Sequence, residues 1–200
     1  MRLPADATLI VVDVQEAIDD RRWGPRNNPA AERNIARLLA RWRAEGLPLI
    51  HVRHDSVEPG SPYAPDAPGH RFKACAAPIE GERVIGKSAT SAFVRPDLEA
   101  ALDGIGATTL VICGVLTANS VEATARHAGD LGYRTFVVAD ACWTVDKVDL
   151  AGRRWRADDV HALSLALLHG EYATVVDTET ALAAAGFATA RRRREDGRTR

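Results

Sequence analysis

Cysteine is scarce in this 200-residue chain: the three present, Cys75, Cys113 and Cys142, are odd in number and lack metal-ligand spacing. That argues against a disulfide framework and suits free thiols in a reducing compartment. Cys113 ends an apolar run, where a thiol behaves as a small buried hydrophobe. Cys75 and Cys142 fall in expected loops, and neither opens a helix after a strand, the setting that activates a thiol. Charge of one sign is lacking too: 26 basic and 27 acidic residues leave a formal net charge of −1, so no overall field recruits nucleic acid or an anionic membrane. No apolar run approaches the roughly 20 residues that span a bilayer. The first six residues lead into a strand without a signal-peptide pattern. These absences point to a cytoplasmic protein with a small-molecule partner and no nucleic-acid or membrane partner.

What is present is the composition of one α/β domain, 46% hydrophobic and 26% charged, long enough to bury about 70% of the surface its unfolded chain exposes. The domain is expected over residues 1–188, followed by a basic tail over 189–200 that is expected to be disordered, since Arg191 to Arg200 hold no apolar residue to anchor it. Thr8 to Val12 and Thr108 to Cys113 are continuous apolar runs, the pattern of strands covered on both faces of a parallel sheet. Leu47 to Val52, Arg83 to Ile85, Arg134 to Ala139 and Ala173 to Val176 read as further strands. Asn28-Pro29 predicts the N-cap and first turn of a helix carrying Ile35, Leu38, Leu39 and Trp42 on one face and stopping at Gly46. Other helices are expected over Pro96 to Leu102, Asn119 to Leu131 with Asn119 and Glu122 as a capping pair, Ala157 to His169 and Glu179 to Ala185. Strands alternating with helices at this spacing imply βαβ crossovers and a doubly wound sheet. Arg53 to Glu82 is too long and too rich in Pro, Gly and Ala for a plain linker, and such connections are usually functional covers.

In doubly wound sheets ligands bind beyond the carboxyl ends of strands where the strand order reverses. The two most apolar runs end in Asp13 and in Gly114-Val115-Leu116-Thr117, so these ends are expected to be neighbours. Three motifs stand in order: Ile10-Val11-Val12-Asp13-Val14-Gln15 after the first strand, Lys87-Ser88-Ala89-Thr90-Ser91-Ala92-Phe93 after the third, and Gly114-Val115-Leu116-Thr117-Ala118-Asn119-Ser120-Val121 after the fourth. In combination they make the chain resemble the isochorismatase-like cysteine hydrolases from Leu9 to about Thr178. The resemblance implies a three-layer Rossmann-like α/β fold with a six-stranded parallel sheet of order 3-2-1-4-5-6. It also implies an aspartate acting as general base (Asp13), a lysine that orients it (Lys87), a nucleophile at position 120, and an oxyanion hole from the backbone N–H groups of Leu116 and Ser120. The family's cis peptide maps to Val115-Leu116.

The family's nucleophile is cysteine, whereas this chain has Ser120. A helix N-terminus lowers a thiol's pKa toward the thiolate but helps a serine far less, so Ser120 needs an adjacent base, and Asp13 and Lys87 are the evident ones. Three readings stay open. Ser120 is a Cys-to-Ser replacement that keeps the pocket of a C–N hydrolase for amide, ureido or carbamoyl compounds. Alternatively it is natural, in a vinyl-ether hydrolase that uses Asp13 as general acid. In the third, it marks a weak serine hydrolase or a non-catalytic small-molecule binder. Gln15, Trp23, Arg26, Asn27, His54, Phe93 and Thr117 are expected to contact the substrate, and Trp143 and Trp155 to supply further aromatic walls. No metal or other cofactor is expected, because His51 and His54 stand three apart on a strand and point to opposite faces. The resemblance also implies a homo-oligomer, dimer or tetramer.

Overall fold

Thr8–Val12 (β1) is buried along its whole length, as a β-branched run without polar alternation must be when helices cover both faces of its sheet. In the computed structural model, which describes residues 3–4, 7–95 and 97–185, β1 pairs in parallel with Leu49–His54 (β2) on one side and Thr109–Val115 (β4) on the other. Arg83–Lys87 (β3) borders β2, and Arg134–Trp143 (β5) borders β4. After β5 comes an antiparallel ribbon of Lys147–Val148 (β6) and Arg154–Trp155 (β7), and Thr174–Val176 (β8) then closes a six-stranded sheet of order 3-2-1-4-5-8. The expected sixth strand is β8. The ribbon escapes sequence reading because two-residue strands carry no periodicity.

Among the described residues five α-helices cover the sheet: Ala31–Glu45 (α1), Asp97–Gly104 (α2), Glu122–Asp130 (α3), Ala157–Leu168 (α4) and residues 178–185 (α5). The strand order reverses beside β1, so right-handed crossovers send α1 to one face and α2, α3 and α4 to the other. Helix α1 buries Ile35, Leu38, Leu39 and Trp42, and the Trp42 indole N–H donates to the Ala7 carbonyl at 3.0 Å. Gly46 ends the helix in the left-handed conformation, φ 61°.

Two expected helix starts are corrected. Asn28 does not cap α1, which begins at Ala31; it adopts φ 44° and turns its amide to the carbonyls of Ala139 and Cys142. Asn119 does not cap α3, because Thr117–Val121 first form a wide turn. Glu122 instead accepts from Arg126 and Ser164. Strand β5 runs on to Trp143 past a bulge opposite Ile112 and Gly114, so Cys142 lies buried in a strand and not in a loop. Pro96 and the tail expected over 189–200 lie outside the described residues.

The long excursion between β2 and β3 folds back over the carboxyl ends of the strands. Gln15 bridges to Phe72, and the Lys73 N–H donates to the Val14 carbonyl at 3.0 Å. Its far end is pinned by Glu82, which accepts from Arg43 at 2.7 Å, from the Ile79 N–H at 2.9 Å and faces His51 Nε2 at 2.9 Å. Burial pushes His51 below its ordinary value, more than Glu82 raises it. Burial pushes Glu82 up, but Arg43, Ile79 and His51 together hold it down at about 2. Both folded-state values are depressed, so both groups favour the folded state when unprotonated. Their contribution is lost as pH falls, for His51 below about 6.5 and for Glu82 from about 4.5 toward 2. Thermal melts from pH 4.5 toward pH 2, compared in a His51→Gln background so that Glu82 alone of the pair titrates, should therefore fall more steeply with Glu82 than with Glu82→Gln. Parallel curves would contradict this.

Candidate active site

Asp13 closes β1 in the left-handed conformation, φ 54°, with its N–H donating to the Val52 carbonyl and its own carbonyl accepting from Gln15. Next to it Gly114 has φ 124°, and a Cβ there would lie 2.2 Å from the Val12 carbonyl oxygen. Only glycine lets β4 approach β1 this closely. The Val115-Leu116 peptide is cis, at the position implied from sequence.

Lys87, the last residue of β3, reaches across β2 into this corner. Its ammonium donates to Asp13 Oδ2 at 2.6 Å, to the Ala89 carbonyl at 3.1 Å and to Ser120 Oγ at 3.3 Å, and faces His54 Nδ1 at 3.4 Å. That ring nitrogen can only accept, so the His54 proton sits on Nε2. Burial, and then the Lys87 charge, push His54 below its ordinary value, which keeps the ring neutral. Asp13, Lys87 and Ser120 are all buried. Burial pushes the Asp13 carboxyl up, and Lys87 and the Ser120 hydroxyl pull it only part of the way back. Among the described residues Asp13 Oδ1 has no hydrogen-bond partner. The site thus holds a proton acceptor of raised basicity, a fixed cation and a hydroxyl around one point.

A cavity of about 320 Å³ opens on this corner and is lined by Asp13, His54, Leu116, Ser120 and Trp23 among others. The excursion contributes Ser56, Glu58 and Tyr63, the loop after β3 contributes Ser88 and Thr90, and the ribbon contributes Lys147. Ser88 and Thr90 belong to the second motif but are not among the contacts expected from it, and the others lie outside the motifs, apart from the general expectation that the excursion is a cover. Tyr63 stands edge-on to His54 at 5.5 Å and to Trp23 at 6.2 Å.

Five expected substrate contacts do not line the cavity. Gln15 is buried and structural, its amide donating to the His54 and His70 carbonyls and accepting the His54 N–H. Arg26 stacks on Trp143 at 4.0 Å and pairs with Glu32. Asn27 accepts the Thr144 N–H. Phe93 packs against His127 and Tyr133. Thr117 is fully buried behind Ser120, against His161. The aromatic walls expected from Trp143 and Trp155 are likewise absent: Trp143 is buried under Arg26, and Trp155 donates to Asp149 under Arg153. His51 and His54 do face opposite ways, one to Glu82 and one to Lys87. Among the described residues no group of three or more His, Cys, Asp or Glu is placed to hold a metal ion.

Comparison with known proteins agrees with this architecture. An isochorismatase-family protein of known structure from Chromobacterium violaceum is 52% identical, covers 93% of this chain and 97% of its own, and superposes with a TM-score of 0.90. YrdC of Bacillus subtilis, an isochorismatase-family protein, is 39% identical over 86% of this chain and 91% of its own. A streptothricin hydrolase from Streptomyces noursei is 39% identical over 69% of this chain, which spans 50% of the relative's length. A maleamate amidohydrolase from Pseudomonas putida is 30% identical over 66% of this chain and 53% of its own. The isochorismatase domain model matches residues 7–180, and with the parallel sheet and the corner beside β1 this places the chain in the isochorismatase family.

Proposed function

We propose that this family hydrolase cleaves the C–N bond of a small amide, ureido or carbamoyl compound through a nucleophile at position 120. The observation that carries the reading is the Lys87 ammonium, which does not itself line the cavity but touches two residues that do, Asp13 Oδ2 at 2.6 Å and Ser120 Oγ at 3.3 Å. An amine leaves only when protonated, so C–N cleavage needs a group that takes the nucleophile's proton and returns it to nitrogen. Asp13 suits that exchange because burial raises its proton affinity. The side chain at 120 attacks the carbonyl carbon and Asp13 accepts its proton. The Leu116 and Ser120 N–H groups stabilise the oxyanion. Asp13 then protonates the departing nitrogen, and a water activated by the same carboxylate releases the acid from the acyl intermediate. Lys87 keeps the carboxylate oriented throughout. The amidohydrolase and streptothricin hydrolase relatives support hydrolysis of small molecules as the reaction class.

A raised Asp13 also favours one competing reading, in which the protonated carboxyl acts as general acid on a vinyl ether and position 120 takes no part. Ammonia release from a panel of small amides and ureido compounds separates the two, run on the protein as it stands and on Ser120→Cys. Turnover of at least one compound, faster with cysteine, is expected. Loss of the reading follows if neither form releases ammonia from any compound.

A further inference from the structure

The turn that carries Ser120 is held from outside. Within it the Asn119 and Val121 N–H groups both converge on the Leu116 carbonyl, at 3.0 and 3.2 Å, and Ala118 leaves the helical region at φ −85°, ψ 26°. A wide turn of this kind has poorer internal hydrogen bonding than α-helix, and its shape depends on what packs against it. Helix α4 supplies that support from two residues one turn apart, His161 and Ser164. His161 Nδ1 meets Thr117 Oγ1 at 2.8 Å. The Ser164 hydroxyl lies 2.6 Å from Glu122 Oε2 and 3.3 Å from the Thr117 carbonyl. Together they grip the first residue of the turn and the first residue of α3 beyond it.

The tautomer of His161 follows from its other neighbour. Asn28 directs its NH2 at the carbonyls of Cys142 and Ala139, at 2.6 and 3.1 Å, which fixes the amide orientation and brings the same NH2 to 3.3 Å from His161 Nε2. The two NH2 hydrogens are shared among three acceptors, and an Nε2–H would face them with nothing to accept it, so the ring proton is assigned to Nδ1, which donates to Thr117. The chain Asn28 to His161 to Thr117 therefore runs in one direction, from the β5 bulge through α4 to the turn. His161 does not line the cavity, so it cannot touch a substrate held there.

We propose that His161, assisted by Ser164, is a positioning residue that sets the turn so that the side chain at 120 lies beside Lys87 and Asp13. The proposal rests on the reading of position 120 as the nucleophile. The test avoids any substrate. In Ser120→Cys, the rate at which iodoacetamide alkylates the residue-120 peptide is followed against pH by mass spectrometry, which separates it from the peptides of Cys75, Cys113 and Cys142. With His161 present, the midpoint is expected below the ordinary thiol value of about 8.5. His161→Leu, which keeps the volume and removes both hydrogen bonds, should raise the midpoint by about one pH unit and slow alkylation near pH 6.5 about 10-fold. His161→Asn, whose amide N–H can replace Nδ1, should restore the parent profile to within about twofold. Ser164→Ala should move the profile the same way as His161→Leu by a smaller factor, and it carries the test if the leucine variant does not fold. Folded His161→Leu and Ser164→Ala variants with the parent profile would overturn the proposal. A parent Ser120→Cys thiol that already titrates as an ordinary cysteine would overturn the nucleophile reading, and the clamp with it.

Discussion

Replacing Ser120 by cysteine is expected to raise kcat/KM for ammonia release from a responsive amide by about 10³-fold or more, equivalent to roughly 4 kcal/mol of barrier. The argument is electrostatic. The side chain at 120 lies 3.3 Å from the Lys87 ammonium in a buried corner. An ordinary thiol needs little help from such a cation to be a thiolate near neutral pH, whereas an alkoxide remains far out of reach and depends on Asp13 taking the proton during attack. The swap is nearly isosteric, so the cavity and the Leu116 and Ser120 N–H groups should stay in place. Initial rates on the responsive compound check this. An equal or lower rate with cysteine would remove the side chain at 120 from the nucleophilic step.

Asp13→Asn should be as severe in the opposite direction, lowering kcat in the Ser120→Cys form by about 10² to 10⁴. The amide keeps the volume of the carboxyl but can neither accept the nucleophile's proton nor return one to the leaving nitrogen. It also takes from Lys87, buried and 2.6 Å away, its carboxylate partner. Removing one partner of such a pair costs about 3–5 kcal/mol of stability. Activity should therefore be compared at a temperature where circular dichroism shows the variant folded. A folded Asp13→Asn with unchanged kcat would remove Asp13 from the chemistry.

How far this site could be read before folding depends on which residue is considered. The neighbouring ends of β1 and β4 were legible because the two most apolar runs must be the most covered strands, and those runs end in Asp13 and Gly114. Lys87 was legible only through its motif: nothing in a lone lysine after a short strand says that it crosses β2 to reach Asp13. Asn28 misled because a side chain that caps helices also satisfies carbonyls exposed by a bulge, and the bulge in β5 leaves no trace in hydrophobic periodicity. Phe93 misled because its motif neighbours point to the cavity while its own ring turns to Tyr133. The excursion was recognised as a cover from its length, yet its lining residues Tyr63 and Ser56 follow from the fold-back contacts with Val14 and Gln15, which are tertiary and carry no local pattern. His161 stayed invisible for the same reason: its role depends on α4 crossing behind the turn.

The central claim is that Asp13, Lys87 and the side chain at 120 act as one unit, and a double-mutant cycle tests it most directly. Asp13→Asn, Lys87→Met and the pair together are built in the Ser120→Cys form, and kcat is measured on one responsive amide. Groups working on the same proton are non-additive, so the double variant is predicted to be no slower than the worse single variant. A double variant whose loss equals the product of the two single losses would contradict the account.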